Sequence, residues 1–268
     1  MSNPKRKVMF LNPVGTSNYD QIFADMAAKY KLPDTEVHIT SLAESEGAFT
    51  HIEFRSYEAM VTAGIIKATR AAAKEGFDAL AIGCFYDTAL HDAREVSGDM
   101  VVTAPCLASC RLATNLSNRF GIIVGRQKWI DQMSSTVDHY GYGNACAGLF
   151  PVGLGVNDFQ VDHAKTNDLL TQAAETAIEK AFAESIILGC TLEIGFHEKL
   201  EKKLGVPVID VSIAALKDAE YAAEMKASCN WKPSRKWSCE SPSEEEMAAI
   251  GVFDQDDIFG NRIVVKAE

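Results

Sequence analysis

The chain predicts an α/β protein built from two lobes of parallel sheet, each covered by helices on both sides. Two observations carry this. Short apolar runs alternate with helical stretches from residue 8 to residue 225, as a parallel sheet with helical crossovers requires. One pattern also occurs twice. Ala-Leu-Ala-Ile-Gly-Cys at 79–84 and Ser-Ile-Ile-Leu-Gly-Cys at 185–190 share an apolar strand, a glycine and a cysteine, 106 residues apart. A repeat at that distance implies two lobes of similar build, pseudo-twofold related. Lobe one covers 1–104 with a return of about 212–268, and lobe two covers 105–211.

The elements follow in order. Residues 8–12 are a short apolar run ended by Pro13 and Gly15, which suits a buried strand. Residues 19–31 have helical spacing, with Ile22, Phe23, Met26, Ala27 and Tyr30 on one face. Residues 36–40 alternate as a second strand. Residues 51–75 read as a long Ala-rich helix closed by Gly76. A buried strand at 78–83 delivers Cys84, and a helix at 87–96 follows. Next come a strand at 100–104, a helix at 105–118, a strand at 120–124, a helix at 127–140 and a strand at 147–152. Residues 162–183 form a strong helix. The strand at 184–189 delivers Cys190, followed by a helix at 192–204, a strand at 206–211 and a helix at 212–225.

Residues 227–268 differ in character. Two of the three Trp, two Pro and two Cys fall within 226–243 without a clear period. Ser243 is a candidate N-cap for a short acidic helix. The stretch reads as a C-terminal extension packed on the surface, as at an oligomer interface, or as a solvated tail.

Composition excludes several classes. The 268 residues carry a formal net charge of −11, with 47% hydrophobic and 24% charged residues. That is globular composition, and its acidic balance argues against nucleic acid or an anionic membrane as the partner. No apolar run approaches the roughly 20 residues of a membrane span. The basic stretch 1–7 precedes an apolar run too short for a signal-peptide core, so a cytoplasmic location is expected. Seven cysteines, an odd number without an export signal, imply reduced thiols. Cys106 and Cys110 lack the further Cys or His that zinc requires. Gly121 and Gly125 do not complete a nucleotide fingerprint, and no Walker loop or HExxH motif is present.

The repeated cysteines point to chemistry. Binding sites of parallel sheets lie beyond the C-terminal strand ends, where Cys84 and Cys190 fall. If a helix starts there, its unpaired N–H groups stabilise negative charge and lower a thiol pKa. The preceding glycine would let the backbone pass close to a ligand. Cysteine is also a common small buried residue, and Cys106, Cys110, Cys146, Cys229 and Cys239 read that way. Two matched settings favour function for Cys84 and Cys190. A carbon beside a carbonyl is a weak acid. A thiolate on one face can take its proton while a thiol on the other returns one, which inverts the centre without any cofactor or metal. Glu193 and Asp210 could tune the second thiol, or serve as solvated or capping carboxylates. His91 and His197 each lie seven residues after a motif cysteine and read as exposed helix residues.

The motifs carry a resemblance. Gly-Cys-Phe-Tyr-Asp-Thr-Ala-Leu at 83–90 resembles the GCFxDPGL motif of hydantoin racemases. Leu-Gly-Cys-Thr-Leu-Glu-Ile at 188–194 and Leu-Gly-Val-Pro-Val-Ile-Asp at 204–210 resemble the second motif of the aspartate/glutamate/hydantoin racemase superfamily and the stretch after it. Leu-Asn-Pro-Val-Gly-Thr-Ser at 11–17 resembles its INPNxS loop. The matches run in order over about residues 8–220. They imply two flavodoxin-like lobes with the active site in the cleft between them, and cofactor-independent racemisation by Cys84 and Cys190. They imply Asn12, Thr16 and Ser17 as pocket residues, Phe85 and Tyr86 as substrate neighbours, Asp87 as a substrate-site residue orienting the loop after Cys84, and Thr191 as a backbone N–H donor. Tyr86 replaces a usual glycine, Thr88-Ala89 replaces Pro-Gly, and Cys106 stands where the family pattern has an acid.

The Phe85-x-Asp87 pattern favours a hydantoin or allantoin-like cyclic ureide, because amino-acid racemases of the group usually carry Cys-Asn-Thr. The alternatives are an aspartate/glutamate-type racemase, a maleate-type cis–trans isomerase and a non-catalytic two-lobed binder of small ligands. The partner is a small molecule, and a homo-oligomer is expected.

Overall fold

A computed structural model describes residues 5–255 and 257–268. The basic N-terminal stretch begins at residues 1–4, outside the described residues. The described chain divides into two compact units. The first holds the residues up to Gly83, Thr88–Ala104 and Ala215–Glu268; the second holds Cys84–Asp87 and Pro105–Ala214. The four residues that follow the first Gly-Cys strand thus leave its unit and join the one that carries Cys190.

The first unit is built on β1 (Arg6–Asn12), β2 (Thr35–Leu42), β3 (Ala79–Ile82), β4 (Val101–Thr103) and β9 (Phe259–Val265), in the order β4-β3-β1-β2-β9. All pairings are parallel except β2 with β9. Val8, Met9, Phe10 and Leu11 of the central strand have no exposed surface, which explains a continuous apolar run in place of alternation. Helices α1 (Asp20–Tyr30), α2 (Arg55–Lys74) and α3 (Leu90–Val96) belong to this unit, with α9 (Glu244–Ile250).

The second unit has a four-stranded parallel sheet. Its strands β5 (Phe120–Val124), β6 (Cys146–Pro151), β7 (Ser185–Leu188) and β8 (Val208–Asp210) run in the order β6-β5-β7-β8. Its helices are α4 (Pro105–Leu116), α5 (Ile130–His139), α6 (His163–Ala181) and α7 (His197–Leu204); α8 (Val211–Cys229) begins in this unit and ends in the first. The α/β class with two parallel-strand sheets is therefore present.

The C-terminal region is not a solvated tail. β9 adds the fifth, antiparallel strand to the first sheet. Ser243 caps α9, its hydroxyl accepting from the Glu246 N–H at 3.1 Å. The buried Arg70 donates to Glu244 and Asp254, and together with Lys74 it holds Asp254 down to about 2.

Several expected helices start later than the sequence indicates: the one at 51–75 begins at Arg55, and the one at 127–140 opens with a 3-10 turn before α5. The expected helix at 87–96 begins at Leu90, because Asp87 and Ala89 sit at φ +54° and +58°. The expected helix at 192–204 splits into a 3-10 turn at Thr191–Glu193 and α7, with Gly195 at φ +84° between them. Ala89 lies where the resembled motif has glycine. A left-handed L-residue costs about 1–2 kcal/mol, and glycine returns roughly 0.4–1 kcal/mol of that through unfolded-state entropy. Ala89→Gly is therefore expected to raise the thermal midpoint modestly, by the equivalent of ~0.5–1 kcal/mol. A lower midpoint on calorimetry would contradict this.

Candidate active site

Both motif cysteines stand on equivalent local structure. The Gly83 N–H donates to the Leu11 carbonyl at 2.7 Å, and the Gly189 N–H donates to the Ile123 carbonyl at 2.7 Å. A Cβ on Gly83 would lie 2.7 Å from the Phe10 ring and 3.0 Å from the Leu11 oxygen, and one on Gly189 would lie 2.6 Å from the Ile123 oxygen. A neighbouring strand, not a ligand, thus sets the need for glycine. Each cysteine then opens a tight turn. The Asp87 N–H donates to the Cys84 carbonyl and the Glu193 N–H to the Cys190 carbonyl, both at 2.9 Å.

This corrects the expected helix N-terminus at each thiol. Cys84 is followed by a turn and α3 starts six residues later; Cys190 precedes only a three-residue 3-10 turn. The dipole of the helix that follows each thiol in sequence therefore does not begin at the thiol.

Asp87 locks the first turn. Its Oδ1 accepts the Cys106 N–H at 2.8 Å, and its Oδ2 accepts the Leu107 N–H at 2.9 Å and the Tyr140 hydroxyl at 3.0 Å. Its side chain caps the start of α4 from a distant part of the chain, in place of a neighbouring N-cap side chain. Its carboxylate holds protein donors and ties the Cys84 turn to α4 and Tyr140. Phe85 and Tyr86, between Cys84 and Asp87, are buried. Tyr140 has no motif around it and sequence reasoning missed it.

A different set of groups locks the second turn. The Ser212 hydroxyl donates to the Thr191 carbonyl at 3.2 Å, and Gln160 Nε2 donates to the Leu192 carbonyl at 2.7 Å. Asp210 Oδ2 accepts the Gly195 N–H at 3.0 Å and lies 3.5 Å from His197 Nδ1. Its Oδ1 accepts the Ser212 and Ile213 N–H groups, capping α8. His197 is therefore half-buried beside a carboxylate, not a plain exposed helix residue; His91 is exposed. Gln160 too was missed, since nothing near it in sequence marks it.

Asn12, Thr16 and Ser17 lie in the first unit. Asn12 ends β1, is buried, and donates from Nδ2 to Asp20 Oδ1 at 3.4 Å. Asp20 also accepts from Ser41 at 3.2 Å. Burial pushes the Asp20 carboxyl above its ordinary value, and hydrogen bonds from Asn12, Ser41 and Asn261 pull it back. Thr16 is half-buried with its hydroxyl accepting from the Asn18 N–H, and Ser17 is exposed.

Two of the remaining thiols, Cys106 and Cys146, are pushed above the ordinary thiol range. All seven cysteines are reduced. The Cys110 side chain and then burial push Cys106 well above the thiol range. Burial pushes Cys146 up to about 11. Among the described residues, no three His, Cys, Asp or Glu side chains gather as a metal site.

Comparison with known proteins decides the family. The Asp/Glu/hydantoin racemase model matches residues 8–219. The chain belongs to the Asp/Glu/hydantoin racemase family. It is an isomerase, a racemase of the cofactor-independent kind. A hydantoin racemase of Pseudomonas sp. (strain NS671) is 32% identical over 219 residues, 82% of this chain and 86% of that protein. One from Rhizobium meliloti is 30% identical over 213 residues, 80% and 87% respectively. The allantoin racemase structure from Klebsiella pneumoniae shares the fold of this family member with a TM-score of 0.81 at 22% identity, covering 89% of this chain and 94% of that one.

Proposed function

We propose that the chain racemises a hydantoin or allantoin-like cyclic ureide, with Cys84 and Cys190 as the two bases. The observation that carries this is the matched pair of turns. Each thiol leaves a Gly-Cys strand end through the same i to i+3 bond, and both belong to one compact unit. The names of the relatives above support the ureide class.

In the proposed step one thiolate takes the α-proton. The S–H bond forms, the C–H bond breaks, and the electron pair moves into the carbonyl as an enolate. In this reading the free amides of the two turns supply donors to the developing negative charge. The other thiol then gives its proton to the opposite face of the carbon and becomes the thiolate. The two sulfurs exchange roles with each turnover. Asn12, Thr16, Ser17, Phe85, Tyr86 and Thr191 are the proposed substrate contacts, and Asp87 the residue that orients the first thiol. A cytoplasmic homo-oligomer without nucleic-acid or membrane partners is part of the same reading. No described helix is long and apolar enough to cross a membrane.

The test is a screen of a 5-substituted hydantoin, allantoin, aspartate and glutamate in heavy water, read by polarimetry and one-dimensional NMR. Loss of rotation with loss of the α-proton signal from a ureide supports the reading. Turnover of the amino acids alone would replace it with the amino-acid racemase alternative. Racemisation is also expected to survive dialysis against EDTA unchanged; a loss restored by zinc or manganese would contradict the two-thiol step.

A further inference from the structure

We propose that Glu193 is a positioning residue for Cys190, its buried side chain bracing from within the turn that carries the thiol. This rests on the reading of Cys190 as a base.

Each cysteine turn places an acid three residues on, Asp87 after Cys84 and Glu193 after Cys190. The two acids differ in what they hold. Asp87 caps α4. The matching duty at α8 falls to Asp210, the last residue of β8. Glu193 is thereby released from capping, yet it has no exposed surface. Neither of its carboxyl oxygens has a hydrogen-bond partner of ordinary geometry among the described residues. A buried carboxyl left in that state is costly, so its retention beside a reactive thiol calls for a role.

The groups around it define that role. Cys190 lies on its own turn, Asp210 at the end of β8, and His197 at the start of α7 against Asp210. Burial first, and the Asp210 charge second, push the Glu193 carboxyl well above its ordinary value; the Cys190 backbone N–H offsets this in part. That shift favours the uncharged form of the acid. A carboxylate here would oppose thiolate formation at Cys190. The protonated acid lies against the Cys190 amide without that repulsion.

The test uses Glu193→Gln and Glu193→Leu in the full chain. Iodoacetamide alkylation of Cys190 is followed by peptide mass spectrometry across the thiol titration range, beside kcat and KM. Glu193→Gln keeps a neutral polar group, so the Cys190 alkylation profile and kcat are expected to stay within a few-fold of wild type. Glu193→Leu fills the same space without polar atoms and is expected to fold, with kcat lowered about tenfold at unchanged KM as the thiol loses its alignment. A profile moved to lower pH in Glu193→Gln would show that a charge was removed and overturn the proposal. Wild-type kcat in Glu193→Leu would also overturn it. If Glu193→Leu does not fold, the Glu193→Gln profile decides alone. Should Cys190→Ser still racemise, the two-base reading fails, while the alkylation profiles still decide the placement of Glu193.

Discussion

Cys84→Ser and Cys190→Ser are each expected to lose racemisation by roughly 10²–10⁴-fold, the range a positioned general base supplies. An alcohol is a far weaker acid than a thiol of ordinary pKa about 8.5, so serine cannot serve as the thiolate. Racemisation needs both faces served, and either replacement stops it. Exchange of the α-proton needs one base. Cys84→Ser should therefore still exchange one enantiomer slowly in heavy water, and Cys190→Ser the other. Cys106→Ser, Cys110→Ser and Cys146→Ser are expected to stay within a few-fold of wild type, since the Cys110 side chain and burial push the Cys106 thiol up and burial pushes the Cys146 thiol up. Polarimetry on the five variants checks this. A fall in a Cys106 or Cys146 variant equal to that in Cys84→Ser would contradict it.

Asp87→Ala has the second large effect, on stability as well as rate. The change strips two backbone N–H groups and the Tyr140 hydroxyl of their buried acceptor. Charge-assisted bonds of this kind are worth about 1.5–3 kcal/mol each and do not add fully, so the loss is on the order of 3 kcal/mol. For a chain of this size that lowers the thermal midpoint by roughly 6–12 °C. The released Cys84 loop is also expected to lower kcat by about 10²-fold, the cost of a reacting group misplaced by about 1 Å. Tyr140→Phe removes one of the three donors and should reproduce a minor part of the stability loss. A wild-type midpoint and kcat in Asp87→Ala would show that the cap does not hold the thiol.

The strand–helix alternation and the paired Gly-Cys ends were legible because they are local. Apolar runs such as Val8–Leu11 and Ile186–Leu188 need no partner to be recognised as buried strands. β9 was not legible: Gly260 and Asn261 interrupt its pattern, and its partner β2 lies more than two hundred residues earlier. The late starts of α3 and α7 were hidden as well. Asp87 and Ala89 take left-handed backbone conformations, which alanine rarely adopts and which nothing in the local sequence announces, and Gly195 breaks what looks like one helix. Glu193 and Asp210 were visible as acids near the second thiol, but which one caps a helix and which one is buried depends on where α8 begins. Tyr140 and Gln160 reach the two turns across the fold, so no spacing along the chain marks them.

The most direct test of two bases on opposite faces is the position of deuterium after brief turnover. Single enantiomers of 5-benzylhydantoin and of allantoin are incubated with the wild-type enzyme in heavy water and stopped at low conversion. The product enantiomer and the recovered substrate are then separated on a chiral column and examined by mass spectrometry. Two bases predict a product that carries solvent deuterium while the recovered substrate keeps its proton, because the proton removed on one face is not the one delivered on the other. A product that retains the original proton, or substrate that exchanges as fast as product forms, would show one base serving both faces and would contradict the assignment of Cys84 and Cys190.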